Sequence, residues 1–595
     1  VKRHPLAAAC AAFSAACLIG AAPSVLAHEA AAPAVSPHDH AELDQLLQQQ
    51  EKVDNVYRAY FPDAKTGRKA AITFHGQLLE SNWKGGYLVL QLAPEDVKAL
   101  EGFKFRVVKD QAFSDRLAKM AKALRSAGAP NLFGASGAQL AAKAAEGGES
   151  IPNYPCYETV EETFAAAQGF ANTHPKLATW SAVGQSWQKT QGSGGYDIAV
   201  LKLTNEDTTG PNGEAKPKLF INAAIHAREY VTAPLVLAFA GELLNGYGKN
   251  ADATWILDHH EVHLLLQLNP DGRKKAETGL LWRKNTNTAY CGANSNSRGA
   301  DLNRNFTYSW NKTNGQGSSG QPCDETYRGP SPNSEPETDA VENYVRSIFP
   351  DRRGPNQNDP APADTAGIHL DIHSYSQLVL WPWGFTNQVA PNGTALQTLG
   401  RKFAYFNNYT PEQSIGLYPT DGTSDSVSYG ELGVAAYTFE LGTSFFQSCT
   451  TYTNTIKPNN MKALWYAAKA VRAPYQTPAG PDVTAVKFSV NNVPPGTPVT
   501  LTATVDDTRY NNSNGTEPTQ NIASAEAYID VPPWMPGATP IALTAKDGSF
   551  NAKTEKASAT LSTTGLSKGR HLVYVRGVDA SGKPGPITAG FLKIK

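Results

Sequence analysis

A histidine and a glutamate three residues apart, in His226-Ala227-Arg228-Glu229, follow an apolar run over residues 219–225. Where such a run is a strand leading into a helix, both side chains can turn toward one point. Imidazole nitrogen and carboxylate oxygen are ligands for a divalent metal ion. His-x-x-Glu alone is common by chance, and a catalytic metal site needs a third ligand plus an open position for water. His373 is the candidate, closing the strand-like run Ile368-His369-Leu370-Asp371-Ile372-His373. His369 and Asp371 alternate with His373 and share its strand face. Asp371 is read either as a group behind a metal ligand or as an ordinary buried polar residue. His259, His260 and His263 also cluster, and are read as helix-end and strand residues, not as a second metal site.

The elements that must position these residues lie in a long middle segment, 151–475. Strand-like runs at 197–203, 219–225, 263–268 and 367–372 alternate with helical runs such as 232–244. That alternation predicts an α/β fold, a sheet covered by helices. Before it, residues 46–125 read as a small α+β unit. Its strands are expected at 71–74, 87–92 and 103–108, and Pro94-Glu95-Asp96-Val97 opens a helix. Residues 126–150, with Gly134, Gly137, Gly147 and Gly148, read as a linker. After a Pro- and Gly-containing boundary at 474–481, residues 482–595 carry alternating runs at 483–490, 498–505, 525–531 and 571–578. They predict a β-sandwich of immunoglobulin or fibronectin type.

The N-terminus reads as a secretory signal peptide over 1–27. Lys2, Arg3 and His4 precede an Ala-rich apolar run at 6–22, and Val25-Leu26-Ala27 is the cleavage site. An Ala-, Pro- and His-rich tail is expected at 28–45, with His28, His38 and His40 as solvated side chains. The expected location is therefore secreted or periplasmic. No later stretch is apolar for long enough to span a bilayer, so no stable membrane insertion is expected once the signal is removed. The 595 residues suggest several folded units, with 41% hydrophobic and 18% charged residues in the range of globular chains. A formal net charge of −1 argues against nucleic acid as a partner. Of six cysteines, Cys10 and Cys17 fall in the signal. The remaining Cys156, Cys291, Cys323 and Cys449 imply disulfides in an exported chain, with three pairings open.

Over roughly 155–470 the chain resembles the M14 family of zinc carboxypeptidases, the carboxypeptidase A and B group. The resemblance rests on ordered motifs. They are His226-Ala227-Arg228-Glu229, Asn269-Pro270-Asp271-Gly272, Trp282-Arg283-Lys284, Asp301-Leu302-Asn303-Arg304-Asn305, His373-Ser374-Tyr375-Ser376-Gln377, and Tyr418 with Phe439-Glu440-Leu441. There are departures. Trp187-Gln188-Lys189-Thr190 stands where the family has a Tyr-Glu-Gly-Arg-like motif, and the loop Gly442-Thr443-Ser444-Phe445-Phe446 lacks basic residues found in some relatives.

The resemblance implies a mixed eight-stranded sheet with helices on both faces, preceded by an activation-type prodomain. It also implies one zinc ion held by His226, Glu229 and His373, the His₂Glu set known for carboxypeptidase A. Glu440 would be the general base and acid, and Arg283 would polarise the scissile carbonyl. Asn303 and Arg304 would hold the substrate's terminal carboxylate, with Arg304 offering a bidentate fork. Tyr418 would cap the substrate, with Ser374 and Tyr375 lining the site. Asp301 would accept the second N–H of His226. Asp425, seven residues after Tyr418, would mark a preference for terminal Lys or Arg. Asp421 lies in the same loop, and Leu380, Trp381 and Trp383 would add apolar wall and tolerance for large apolar ends. Cys291 would pair with Cys323, and Cys156 with Cys449. Peptides and proteins are the implied substrates. The C-terminal module is read as an accessory unit, with four roles open: binding a surface, a polysaccharide or the catalytic domain, or only helping folding. The rival readings are an amidase acting on cell-wall peptides and an inactive binding protein. Both are disfavoured because Arg283, Asn303, Arg304, Tyr418, Glu440 and all three ligands are present.

Overall fold

The computed structural model describes residues 37–74, 77–83, 85–126 and 150–595. The expected signal peptide, His28 and linker residues 127–149 lie outside the described residues. Among the described residues no helix is long and apolar enough to cross a membrane.

The first unit is a four-stranded antiparallel sheet of β1 (Val56–Tyr60), β2 (Leu78–Asn82), β3 (Tyr87–Gln91) and β4 (Arg106–Lys109), ordered β2-β3-β1-β4. A helix at Pro94–Gly102 begins where the sequence places it. Residues 71–74 do not form the expected strand, and the helix Ala64–Thr73 takes in most of them. The Asp63 carboxylate caps that helix, accepting from the Thr66 backbone N–H at 2.9 Å. A capped start outweighs the β-propensity of so short a run, and it sets Ala70, Ala71 and Phe74 against Leu88 and Leu90. The tail at 28–45 also departs from expectation, because the helix Pro37–Glu51 begins inside it and includes His38 and His40. Leu43, Leu46 and Leu47, at i, i+3 and i+4, make one apolar stripe that is buried against the main core. Gln50 then bonds the chain near Gly279 and Leu281.

The middle segment is built on a mixed eight-stranded sheet. Its strands are β5 (Ala178–Gln185), β6 (Asp197–Leu203), β7 (Lys218–Ala223), β8 (Glu261–Leu265), β9 (Ile368–His373), β10 (Leu378–Trp381), β11 (Thr410–Gln413) and β12 (Ala435–Glu440). The order is β11-β10-β12-β9-β7-β8-β6-β5. Pairing is parallel through β12, β9, β7 and β8 and antiparallel toward β5. Alternation along β7 divides the core. Leu219 and Ile221 face one apolar layer, which also contains Leu235, Phe239, Phe403 and Leu464. Phe220 faces the other, with Val341, Val345 and Val427. Helices Thr232–Gly246, Gly393–Asn407 and Lys457–Ala470 thus cover one face, and Pro336–Ile348 covers the opposite one. Cys156 bonds Cys449 and Cys291 bonds Cys323. The first bridge joins the beginning of the segment to its end.

The last unit has β13 (Asp482–Phe488), β14 (Asn492–Val493), β15 (Val499–Asp506), β16 (Ile522–Ile529), β17 (Ile541–Ala545), β18 (Thr554–Leu561), β19 (Gly569–Asp579) and β20 (Thr588–Ile594). They enclose a core of Val499, Leu501, Val505, Ile522, Val573 and Val575. This unit packs on the middle segment through charges taken out of water. Lys402, fully buried, bonds Asp482 at 3.1 Å, and Arg401 bonds Glu517 at 2.6 Å. Trp534 packs on Trp255 and His260, and Arg472 stacks on Trp534.

Candidate active site

Parallel strands end on the same side of a sheet, and ligands bind outside such carboxyl ends. Here β7, β9 and β12 end together. Register pairs Ala223 with Ile372, and Glu440 with His373. His226 and Glu229 lie in the turn between β7 and the helix Thr232–Gly246, His373 is the last residue of β9, and Glu440 is the last of β12.

His226, Glu229 and His373 are buried, and their ligand atoms lie within 4.8 Å of one another. Nδ1 of His226 is 2.7 Å from Glu229 Oε1 and 3.1 Å from Nδ1 of His373, which in turn is 3.3 Å from Glu229 Oε2. Two imidazole nitrogens and a carboxylate converge with their other atoms already engaged. His226 Nε2 is 3.1 Å from Asp301 Oδ1, and His373 Nε2 is 2.9 Å from Asp371 Oδ2. Three buried carboxylates around two imidazoles make a negative site. Burial pushes the Glu229 carboxyl up, yet the neighbouring His226 and His373 hold it below the usual range. A divalent cation with affinity for nitrogen and oxygen fits this donor set.

The same cleft is lined by Arg283, Asn303, Arg304, Ser374, Tyr375, Tyr418, Asp425 and Glu440. Arg283 donates through Nε and Nη2 to Asp301 Oδ2, at 3.0 and 2.8 Å. Asp301 therefore serves Arg283 and His226 at once. Burial pushes the Glu440 carboxyl up to about 7, with His373 and Arg283 only partly offsetting it. Tyr375 packs edge-on against Phe445, and the Ser374 backbone N–H donates to Glu229 Oε2 at 3.1 Å.

Contacts at Arg304, Asn303, Trp381 with Trp383, and Asp421 refine the expected site. Arg304 donates through Nε to Gly317 O and through Nη1 to Asn303 O, both at 2.7 Å. Its fork is thus partly committed to holding the loop and is not free as a whole. Asn303 is fixed too, with Oδ1 accepting from Ser424 N at 2.9 Å and Nδ2 lying 3.1 Å from His373 Nε2. Leu380 lines the cleft but Trp381 and Trp383 do not. Trp383 packs against Tyr308, Tyr429 and Phe385 in the core. Asp421 accepts from the Thr313 backbone and hydroxyl, and so holds a loop. His260 bonds Ala468 O, and His263 bonds Tyr344 and Glu261, in the structural roles expected of them.

The sequence reading passed over Arg228, Thr423 and Thr438 as cleft residues. Arg228 sits between two ligands in the motif and stacks on Phe445 while pairing with Glu325 at 2.9 Å. Its place in the motif was the only available signal. The N-terminal unit also reaches the cleft. Leu78, Leu79 and Ser81 of β2 line it, Arg228 Nη2 donates to Leu79 O, and Ser376 Oγ donates to Ser81 O at 2.9 Å. Trp83 and Tyr418 both pack against the cluster of Leu378, Leu380 and Leu417.

Residues 164–464, half of the chain, match the peptidase M14 family profile, described as zinc carboxypeptidase. Bovine carboxypeptidase B is 30% identical over 312 residues, covering 51% of this chain and 66% of that protein. A zinc carboxypeptidase of Saccharothrix mutabilis subsp. capreolus is 31% identical over 310 residues, covering 50% and 64%. The matched region thus spans just under two thirds of these relatives. The crystal structure of carboxypeptidase A from Helicoverpa armigera superposes with a TM-score of 0.51 at 21% identity, covering 71% of this chain and 98% of that one, a likeness of fold.

Proposed function

The chain belongs to the zinc carboxypeptidase (peptidase M14) family, and on that premise we propose that it hydrolyses the C-terminal peptide bond of peptides and proteins, releasing single amino acids. The observation carrying this reading is one cleft lined by the His₂Glu triad together with Glu440, Arg283 and Arg304. His226, Glu229 and His373 would hold one zinc ion. When bound, zinc supplies Lewis acidity, lowering the pKa of water toward about 7 and polarising a carbonyl oxygen. Glu440 accepts the proton of the attacking water and returns it to the leaving amine. Arg283, permanently charged and held by Asp301, faces the negative charge that develops on the carbonyl oxygen. Arg304 brings a fixed positive charge for the substrate's terminal carboxylate, and Tyr418 closes over the bound residue. A carboxylate clamp at a set distance from the metal triad restricts cleavage to the last bond.

Asp425 supports a preference for terminal Lys or Arg. It lines the cleft, is only 5% exposed, and burial raises its carboxyl above the usual range. Its Oδ1 accepts from Thr423 Oγ1 at 2.6 Å. A basic end would supply the missing counter-charge. Leu380 and Leu417 add apolar contact for large apolar ends. Blocked dipeptides ending in Lys, Arg, Leu and Phe test this. Hydrolysis should stop with a chelator and return with zinc, and Asp425→Ala should slow basic ends far more than apolar ones. Activity that survives chelation removes the zinc mechanism. Equal losses on both kinds of end make Asp425 structural.

The contacts of β2 with Arg228 and Ser376 support a prodomain role for the first unit. Cleavage within 126–150 is expected to raise activity on peptide substrates as that unit leaves the cleft. A cleaved and separated protein no more active than the whole chain ends the inhibitory reading. The paired cysteines are consistent with an extracytoplasmic location.

A further inference from the structure

Behind His373 lies a carboxylate that the reaction outlined above leaves unused. Asp371 is fully buried, two residues before His373 and on the same strand face. Its Oδ2 is 2.9 Å from His373 Nε2, accepts from Ser424 Oγ, and lies 3.4 Å from Asn303 Nδ2. Its Oδ1 accepts from Asn222 Nδ2 at 2.6 Å. Asn222 in turn is held through Oδ1 by His369 Nε2, and His369 Nδ1 is 2.7 Å from Ser428 Oγ. Every group around Asp371 is therefore a donor or is placed to be one.

We propose that Asp371 is the positioning residue for His373, fixing the ring with its proton on Nε2 so that Nδ1 presents a lone pair to the metal, and that it joins this ligand to the carboxylate-binding segment through Asn303 and Ser424. The proposal rests on the zinc reading given above. A carboxylate 2.9 Å from Nε2 repels a lone pair there and attracts an N–H. The one contact that favours a lone pair on Nε2 is Asn303 Nδ2, at 3.1 Å, and it is a neutral donor set against a charged carboxylate at 2.9 Å, which wins the nitrogen for a proton. With Nε2 protonated, Nδ1 is the free nitrogen, and it is Nδ1 that faces His226 Nδ1 and Glu229. Asp301 stands in the same relation to His226, so each imidazole ligand is backed by its own carboxylate. Such partners orient the ring and raise its basicity as a ligand. The same anion also ties Asn303 and Ser424 in place, so one substitution reaches both the metal side and the substrate side.

The test is metal binding by the full chain, independent of peptide turnover. Zinc affinity is measured by chelator competition for wild type, Asp371→Asn and His369→Gln, and the cobalt-loaded proteins are compared by visible absorption. Asp371→Asn is expected to weaken zinc binding by about 10–100-fold and to shift the cobalt bands. His369→Gln, which disturbs the same buried network without touching His373, is expected to leave both unchanged. Equal zinc affinity in Asp371→Asn and wild type, or an equal loss in both variants, overturns the assignment. A second measurement needs no variant. Histidine nitrogen NMR of the zinc-loaded wild type should place the His373 proton on Nε2 and the metal on Nδ1, and the opposite arrangement overturns the proposal. A wild type that binds no zinc fails both this inference and the zinc reading beneath it, whereas a zinc-binding wild type with an indifferent Asp371→Asn fails this one alone.

Discussion

Glu440→Gln is expected to lower kcat by about 10²–10⁴-fold while zinc content and thermal stability stay near wild type. The amide has the shape of the carboxylate but cannot accept the proton of the attacking water. Glu440 ends β12 beside His373, and its backbone pairing is unaffected by the change. It is not among the three groups that converge as ligands, so the metal should be retained. Steady-state hydrolysis of a blocked dipeptide, with metal analysis of the same sample, reads the effect. A zinc-replete variant turning over near the wild-type rate would remove Glu440 from its role.

Arg283→Ala is expected to lower kcat by about 10²–10³-fold with a much smaller change in KM, the range seen when one oxyanion donor is lost. A group that meets charge only as the reaction proceeds acts on turnover more than on binding. The complication is structural. Arg283 shares Asp301 with His226, so removing it leaves a buried carboxylate without its principal counter-charge. Burial pushes the Asp301 carboxyl up, and Arg283 with His226 keeps it well below the usual range. Arg283→Lys separates the two effects. It returns a positive charge to Asp301 and should restore stability and zinc content, but it lacks the planar guanidinium and should recover little of the rate. Should the zinc-replete Arg283→Ala keep its rate, the oxyanion role is wrong. Should Arg283→Lys match wild type, charge alone suffices.

The candidate metal ligands were legible because they are local: His226 and Glu229 are three apart at a strand end, and His373 closes a strand. Glu440, Arg283, Asn303, Arg304 and Tyr418 were named only by the resemblance of ordered motifs. Apolar runs alternating with helical ones identify a covered sheet. The least legible region was the N-terminal one. Residues 71–74 have strand-like residue types but follow a capped helix start at Asp63, and the helix at Pro37–Glu51 is stabilised by contacts with residues more than two hundred positions away. Propensity over a few residues contains neither fact.

By itself, then, the amino-acid sequence determined which residues are candidate ligands, His226, Glu229 and His373, from residue type and strand-end placement, while the other site residues came from the resemblance of ordered motifs. The even count of Cys156, Cys291, Cys323 and Cys449 pointed to disulfides, and both bridges are present. The tertiary structure alone decided what each of those groups can do. Arg304 spends two nitrogens on backbone carbonyls, Asp301 is divided between Arg283 and His226, and Asp371 faces Nε2 of His373. It likewise decided that Trp383 belongs to the core and Leu380 to the cleft, and that β2 of the first unit lines that cleft. The physical reason is that a hydrogen bond has direction and a reach of about 3 Å. Which polar atoms meet depends on how distant strands and loops are brought together, and no spacing along the chain encodes that.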